Sequence, residues 1–224
     1  MKVIVTGSRG ILGKQIVSDL KKLGKYNLLE LDLKLGHDLT NEKKVIEYFK
    51  KNKAEGLINC FVLNDHITAV PSKISFLDYP LKTFKKTLNT NVTALFSVCR
   101  EFIRNNNKGK IINFSSIYGL RSPKPSYYKN SHKDPAYGPS KAAVSNLTKY
   151  LAVHTKNFNI NCIVPGGIEN NQPNYFKKKY IEDLPTQRLM QRSEISGLIK
   201  FLLSDESSYC TGSDFFIDGG WSAR

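Results

Sequence analysis

Long apolar runs are missing from this 224-residue sequence, and no stretch approaches the roughly 18 apolar residues that a membrane span requires. The segment from Met1 to Gly7 is a short apolar run that ends at glycine and has no cleavage site. It therefore predicts a first strand and not a signal peptide. We expect no membrane partner.

Cysteine is scarce and scattered in the sequence. The four cysteines, Cys60, Cys99, Cys162 and Cys210, form no C-x-x-C pair, and three of them lie in or beside apolar runs. Buried free thiols are the favoured interpretation, whereas disulfides and a metal centre are not expected. This use of cysteine suits a reducing cytoplasm, which is the predicted location.

Acidic residues are few compared with basic ones. The sequence has 19 aspartates and glutamates and 34 lysines and arginines, which gives a net charge of +15. Such an excess permits contact with nucleic acid or a membrane surface, and it equally suits an anionic substrate or cofactor. Most of the lysines fall on the polar faces of predicted helices. We therefore expect a solvated basic surface and no nucleic-acid partner.

Strands and helices alternate along the whole chain. Strands are predicted at 2–6, 27–32, 56–62, 110–114, 159–164 and 214–217. Helices are predicted after the first glycine turn and at 42–52, 81–103, 137–155 and 194–204. Without a linker, a repeat or a change in composition, the pattern predicts one three-layer α/β domain over residues 1–224, with a parallel, doubly wound sheet.

Three stretches have no regular period. Ile67 to Pro80 is predicted to be a loop. Two longer stretches, at about 117–136 and 168–193, are predicted to be substrate loops, the second with a short helix. Loops of this length inside a compact domain are usually functional, and often they are lids.

The turn after the first strand contains three glycines at a spacing of three. Glycines in a strand–turn–helix let the backbone approach a pyrophosphate, and the helix N-terminus supplies amide groups. An ordinary strand–turn–helix is the alternative, and the position directly after a strand favours binding. The residues expected to contact a dinucleotide here are Gly7, Ser8, Arg9, Gly10, Ile11, Leu12 and Gly13.

Acidic residues follow the second strand. Asp32 stands where a carboxylate can bind the adenosine ribose hydroxyls and would repel a 2′-phosphate. Lys34 and Arg9 are close in sequence, so NAD is favoured over NADP only modestly. Asp38 either faces the adenine or caps the helix that begins at Asn41, and Thr40 or Asn41 could equally supply that cap.

Tyr137 and Lys141 are four residues apart and share one face of a predicted helix. If that face lines a cleft, the ammonium lowers the pKa of the phenol from about 10, so that it can exchange a proton with a substrate oxygen. Such a pair alone is more often solvated. Its weight here comes from the preceding strand, which ends in the hydroxyls of Ser115 and Ser116.

Together these features resemble the short-chain dehydrogenase/reductase family over essentially the whole chain. The resemblance implies a Rossmann-type domain that transfers hydride between a nicotinamide and a carbonyl or alcohol carbon. The matching stretches, in the family's order, are Thr6–Gly13, Asp38–Thr40, Asn91, Ser116–Gly119, Tyr137–Lys141, Pro165–Gly166 and Thr211–Gly220.

The resemblance also implies a role for each matching residue. Tyr137 would be the general acid/base, and Ser116 would hydrogen-bond the substrate oxygen. Lys141 would lower the pKa of the tyrosine and hold the nicotinamide ribose, while Asn91 would anchor the water that connects Lys141 to solvent. Further cofactor contacts are expected from Asp38, Leu39, Asn59, Cys60, Tyr137, Pro165, Gly166 and Ile168.

Two departures from the family pattern stand out. The segment 59–62, Asn-Cys-Phe-Val, replaces the usual Asn-Asn-Ala-Gly, which alters packing on the adenosine side. The glycine spacing is that of the family's sugar-nucleotide epimerases and dehydratases, whereas the active-site helix and the tail follow its reductases. The chain lacks the extra substrate domain of the epimerases, so the reductase branch is favoured.

Within the family, Asn113–Gly119 and Pro165–Pro173 are similar to oxidoreductases of bacterial surface-sugar pathways, of the flagellin-modification type. This similarity predicts an NAD(P)-dependent oxidoreductase acting on a sugar, a sugar phosphate or a nucleotide-sugar in surface-glycan biosynthesis. The alternatives are a reductase of another ketone or a 3-oxoacyl substrate, and a non-catalytic dinucleotide-binding regulator.

Basic residues in the predicted substrate loops would suit an anionic sugar, although each taken singly is equally well explained as surface lysine or arginine. They are Lys124, Lys129, Lys133, Lys177, Lys178, Lys179, Arg188 and Arg192. A homodimer or homotetramer is expected from the family resemblance. The apolar tail around Phe215, Phe216 and Trp221 fits either a subunit contact or a pocket wall.

Overall fold

The computed structural model describes residues 1–64, 75–128 and 132–223, and within them six parallel strands form one sheet. The order of the strands across the sheet is β2-β1-β3-β4-β5-β6. This arrangement confirms the predicted α/β fold. The strands are β1 (Lys2–Thr6), β2 (Asn27–Leu31), β3 (Gly56–Asn59), β4 (Gly109–Phe114), β5 (Phe158–Pro165) and β6 (Asp214–Ile217).

Helices connect successive strands and cover both faces of the sheet. The described α-helices are α1 (Ile11–Lys22), α2 (Glu42–Lys51), α3 (Leu81–Leu88), α4 (Ala94–Asn105), α5 (Tyr137–His154), α6 (Asn174–Ile181) and α7 (Ile195–Leu203). A π-helical turn, Asn89–Thr93, joins α3 to α4, so the predicted long or broken helix is present. Most of the predicted loop Ile67–Pro80 lies outside the described residues.

Neighbouring residues of each strand pack into different cores, because successive side chains point to opposite faces. Ile4 and Leu57 lie in one cluster with residues of α2, α4 and α5, such as Phe102. Val3 and Val5 lie in a second cluster with residues of α1 and α7. The sheet is thus covered on both sides, which explains its nearly continuous apolar strands.

A crevice is expected at the carboxyl ends of β1 and β3. The chain leaves β1 toward β2 on one side and returns to β3 on the other, and ligands bind at such a switch point in doubly wound sheets. The predicted glycine turn follows β1, Ser116 follows β4 and Gly166 follows β5. The topology therefore gathers the predicted site residues at one edge of the sheet.

No helix among the described residues is long and apolar enough to cross a bilayer.

Candidate active site

The glycine turn between β1 and α1 packs too tightly for side chains. Gly7 has a φ of 64°, and a Cβ there would lie 2.4 Å from the backbone nitrogen of Phe61. A Cβ on Gly13 would lie 2.1 Å from the carbonyl oxygen of Gly7. Both positions therefore require glycine, and the turn brings bare backbone to the start of a helix.

Polar groups in the same turn are left without partners. Gly10 precedes α1 and offers no side-chain cap, so the first amides of the helix face outward with the positive end of its dipole. The Ser8 hydroxyl is buried and has no hydrogen-bond partner in the described chain. Uncapped amides and an orphaned hydroxyl beside a close backbone approach fit the pyrophosphate of a dinucleotide.

Asp32 is fixed at the end of β2 by backbone donors. Its carboxylate accepts hydrogen bonds from the amides of Arg9 and Lys34, both at 2.9 Å. The Arg9 side chain turns to Glu30, with its guanidinium 3.2 Å from the carboxylate. The Asp32 carboxylate thus lies against the glycine turn, while the Arg9 guanidinium is paired with Glu30.

Asp38 and Leu39 lie in the loop before α2, where the structure decides between the predicted caps. The Asn41 side chain accepts from the amide of Lys44 and is therefore the N-cap. Asp38 instead accepts from the amide and hydroxyl of Thr40, at 2.9 and 2.6 Å. These hydrogen bonds hold the pKa of Asp38 below its ordinary value.

Asn59 and Cys60 mark the end of β3, three residues earlier than the strand end predicted at 62. The Asn59 amide donates to Asn113 at 2.9 Å and its oxygen accepts from Thr6 at 3.0 Å, so this side chain ties three strands together. Because these hydrogen bonds occupy the side chain, the predicted cofactor contact of Asn59 would come from its backbone. Burial raises the pKa of the Cys60 thiol to about 12.

Ser116 and Tyr137 are brought together by a close approach between two segments. The turn Ile117–Gly119 after β4 packs on the first turn of α5, where a Cβ on Gly119 would lie 2.7 Å from the backbone of Ala142. The Ser116 side chain lowers the pKa of the Tyr137 phenol, but burial outweighs this effect and raises that pKa overall.

Lys141 lies one turn further along α5 and is buried. Its ammonium donates to the carbonyl of Phe114 at 2.7 Å and lies 5.9 Å from the centroid of the Tyr137 ring. Burial lowers the pKa of Lys141 to about 8. Burial raises the pKa of Tyr137 while the Lys141 ammonium bonds a carbonyl, so the lowering of that pKa by Lys141 stays a prediction.

Asn91 occupies the π-helical turn between α3 and α4. Its side chain accepts from the amide of Leu63 at 2.7 Å, and donates to the Leu63 carbonyl and to the Ser140 hydroxyl. The amide group of Asn91 thus joins the segment after β3 to α5. Anchoring of a water by Asn91 stays a prediction.

A second lysine, Lys133, lies beside Tyr137. Its ammonium lies 4.3 Å from the centroid of the Tyr137 ring, closer than that of Lys141, and donates to the Asn64 side chain at 2.7 Å. Sequence reasoning included Lys133 among the basic loop residues but gave it no place beside Tyr137, and it missed Asn64. Lys133 lies in the loop before α5, so no helical spacing in the sequence indicated this contact.

The segment after β5 forms the floor of a cavity of about 190 Å³. A Cβ on Gly166 would lie 2.8 Å from Asp218, and one on Gly167 would meet the ring of Tyr180. Pro165 ends β5, and Ile168 forms a parallel bridge with Met190. Of the predicted cofactor residues in this segment, Gly166 thus lines the cavity, whereas Pro165 and Ile168 do not.

Aromatic side chains join the two predicted substrate loops and the tail. The Trp221 indole donates to the Tyr127 hydroxyl at 3.1 Å, and Tyr127 donates to Asp183 at 2.5 Å. Tyr180 stacks on Trp221, with ring centroids 6.5 Å apart, and accepts from the amide of Gly167 at 2.7 Å. Trp221 is therefore buried among aromatic side chains of both loops, and its place in a pocket wall or a subunit contact stays a prediction.

These features are shared with known proteins. A family model described as enoyl-(acyl carrier protein) reductase matches residues 2–222. The chain is 30% identical over 212 residues to the post-translational flagellin modification protein A of Campylobacter coli, covering 91% of this chain and 82% of that protein. It is 29% identical over 201 residues to a 2-dehydro-3-deoxy-D-gluconate 5-dehydrogenase of Dickeya dadantii, covering 84% and 72%.

A solved structure gives the same result. The short-chain dehydrogenase of Leptospira borgpetersenii, solved with bound NAD⁺, matches with a TM-score of 0.86 at 27% identity, covering 99% of this chain and 92% of that one. The fold and the glycine turn thus define a nicotinamide-dinucleotide oxidoreductase. This chain belongs to the short-chain dehydrogenase/reductase family, and it is an NAD(P)-dependent enzyme that acts on a small molecule.

Proposed function

We propose that the enzyme interconverts a secondary alcohol and a carbonyl group on a sugar, a sugar phosphate or a nucleotide-sugar, in the assembly of surface glycans. The similarity to the flagellin modification protein and to the deoxygluconate dehydrogenase supports a carbohydrate substrate. The observation that carries the proposal is the packing of the turn after Ser116 on the first turn of α5, which brings Ser116 to Tyr137 and the buried Lys141 at the same sheet edge as the glycine turn.

In this proposal the residues of the chain handle the proton. Ser116 donates a hydrogen bond to the substrate oxygen and so holds it against the Tyr137 hydroxyl. Tyr137 accepts the proton of the alcohol during oxidation and returns one to the carbonyl oxygen during reduction. Lys141, released from the Phe114 carbonyl, would stabilise the phenolate that forms and bind the nicotinamide ribose.

The glycine turn, with Ser8 and the first amides of α1, would hold the pyrophosphate, and Asp32 would bind the adenosine ribose. Backbone groups around Gly166 and Ile168 would border the nicotinamide. When bound, the nicotinamide takes or gives the hydride at its ring. NAD is favoured over NADP in this proposal, because the carboxylate of Asp32 faces the turn while Arg9 is paired with Glu30.

A second candidate is a reductase of acyl groups carried on a protein, which the description of the matching family model favours. The basic loops and aromatic wall accommodate either kind of substrate. A dimer or tetramer and a reducing, cytoplasmic setting complete the proposal, the latter supported by four free cysteines.

The test is a panel of sugars, sugar phosphates, nucleotide-sugars and 3-hydroxyacyl compounds, with NAD⁺ or NADP⁺ reduction followed by absorbance. We expect turnover with at least one carbohydrate. Tyr137→Phe should reduce that turnover by roughly 10² to 10⁴-fold and leave cofactor affinity unchanged. Full activity of Tyr137→Phe would overturn the assigned role, and turnover of acyl compounds alone would select the second candidate.

A further inference from the structure

Four basic residues of the two predicted substrate loops are already neutralised by carboxylates. Lys124 pairs with Asp183 at 2.6 Å, and Arg188 pairs with Glu194 at 2.7 Å. Lys177 pairs with Glu169 and Lys179 with Glu182. These cations organise the loops, so the general basic character predicted from the sequence does not by itself provide an anion site.

Lys133 differs from those residues in its partners. Within the described chain its ammonium forms no ion pair, and its hydrogen bond goes to the neutral amide oxygen of Asn64 at 2.7 Å. The adjacent carboxylate of Asp134 is used elsewhere, because it accepts from the Tyr79 hydroxyl at 2.9 Å and the Ala136 amide at 2.8 Å. The charge of Lys133 is therefore held in place without being neutralised by a bonded carboxylate.

The location of Lys133 places this charge at the reacting end of the site. Its ammonium lies 4.3 Å from the centroid of the Tyr137 ring, and the Lys141 ammonium lies 5.9 Å from the same centroid. Burial lowers the pKa of Lys133 to about 8, opposed by Asp134 and reinforced by Lys141. Two desolvated cations around one tyrosine form an electrostatic environment whose complement is an anion.

We propose that Lys133, held by Asn64, binds a carboxylate or phosphate of the substrate a few bonds from the carbon at which Tyr137 acts. This inference rests on the proposed function and narrows it to anionic alcohols and ketones. The anion replaces the missing counter-charge of Lys133, and its position orients the reacting oxygen toward Ser116 and Tyr137. A neutral analogue would leave the half-buried ammonium without an anionic partner, which is the basis of discrimination.

The experiment compares charged and neutral compounds in matched pairs. The pairs are gluconate with glucose, glucose 6-phosphate with glucose, and 3-hydroxybutyrate with its methyl ester. For each compound kcat/KM is measured with NAD⁺ and NADP⁺, and binding to the enzyme is measured by saturation-transfer NMR. The first two pairs distinguish a carboxylate from a phosphate as the bound group.

Three variants accompany the unchanged enzyme. Lys133→Met removes the charge with little change in length, and Lys133→Arg keeps the charge. Lys108→Met is the matched control, because Lys108 is an exposed residue before β4, at the opposite edge of the sheet. A thermal melt of each variant shows that it is folded.

We expect the unchanged enzyme to prefer the charged member of at least one pair by tenfold or more. Lys133→Met should abolish that preference by lowering kcat/KM for the charged member about tenfold more than for the neutral member, which a purely structural role would not do. Lys133→Arg should retain part of the preference, and Lys108→Met all of it.

Equal loss of activity of Lys133→Met on both members of each pair would overturn the proposal. It would mean that Lys133 acts on Tyr137 and not on the substrate. An undiminished preference in Lys133→Met would also overturn it, as would equal binding of both members by the unchanged enzyme. Binding of the charged member that depends on Lys133 but is never followed by turnover would support the anion site while contradicting the proposed redox function. The two failures are thus distinguishable.

Discussion

The cofactor side of the site is shaped by the backbone, whereas the substrate side is shaped by contacts between distant side chains. On the cofactor side, Gly7 and Gly13 sit where a Cβ would fall within 2.4 and 2.1 Å of other backbone atoms. On the substrate side, Trp221 and Tyr127 are joined by a hydrogen bond across 94 residues of chain.

This difference explains why one side is general and the other specific. A pyrophosphate needs exposed amides and a close approach, which a short local motif provides in many proteins. A substrate wall depends on which loops meet, so it varies while the chemistry stays the same. Tyr137 stands at the junction, with Lys141 on its own helix and Lys133 in the preceding loop.

The sharpest test of the backbone side is Gly13→Ala. The new Cβ would lie 2.1 Å from the Gly7 carbonyl, so the turn must open. We expect cofactor affinity to fall by about 100-fold, equivalent to about 2.7 kcal/mol, in calorimetric titration. The control is Gly197→Ala in α7, where nothing lies within 4 Å of the added atom. A similar affinity in both variants would refute the close-packing argument.

The junction is tested by the pH dependence of Lys141→Met. The folded pKa of Lys141, about 8, lies below its ordinary value of 10.5. The protonated Lys141 therefore lowers the free energy of unfolding. This penalty is complete below pH 8, and it disappears gradually as the pH rises from 8 to 10.5. We expect Lys141→Met to have a higher free energy of unfolding than the unchanged chain at pH 7. The difference between the two chains should shrink by on the order of 2 kcal/mol between pH 7 and pH 10.

Urea unfolding at pH 7, 8, 9 and 10 measures this difference. Tyrosines and cysteines that titrate in the same range contribute to the free energy of unfolding of both chains, so their contribution cancels in the difference. Lys108→Met, which alters an exposed lysine, should show a flat difference. A flat difference for Lys141→Met as well would mean that Lys141 is not desolvated in the folded protein.

The backbone shapes most of the cofactor side, but Asp32 is expected to contribute there through its side chain. Asp32→Asn removes the charge that opposes a 2′-phosphate, so we expect the affinity ratio of NADPH to NADH to rise by about tenfold, or about 1.4 kcal/mol. Asp19→Asn, in α1 beside Ser196, removes a carboxylate elsewhere and should leave the ratio unchanged. An unchanged ratio in Asp32→Asn would show that the backbone alone selects the cofactor.

The smallest effect is expected on the substrate side, from Trp221→Phe. The change removes the indole hydrogen bond to Tyr127 but keeps an aromatic ring, a loss of about 1 kcal/mol. KM for the substrate should rise about fivefold or less while cofactor affinity stays constant. Tyr209→Phe, at a fully exposed ring, serves as the control. A fall in cofactor affinity in Trp221→Phe would break the separation between the two sides.

The sequence predicted the parts of the molecule that local rules determine. The parallel fold followed from alternating strands and helices, and the glycine turn followed from Gly7, Gly10 and Gly13 directly after β1. The close approach of Ser116 to Tyr137 was also expected, because one strand end and one helix start meet at a single sheet edge. These features depend on residues close together in the chain.

Features that depend on three-dimensional environment were not predictable in the same way. The pKa of Tyr137 is raised because burial outweighs the lowering effect of Ser116, and the extent of burial is not written in a local motif. The contact between Lys133 and Asn64 spans 69 residues. The choice between Asp38 and Asn41 as a helix cap was open in the sequence, and only the hydrogen bonds decide it.

Calorimetric titration of the unchanged protein with NADH and NADPH tests the central claim most directly. The arrangement of the glycine turn, the Ser8 hydroxyl and Asp32 predicts one bound dinucleotide per chain, with NADH bound more tightly than NADPH. Binding of neither compound would contradict the account, because the altered segment at 59–62 would then have closed the site and the oxidoreductase chemistry would have no cofactor.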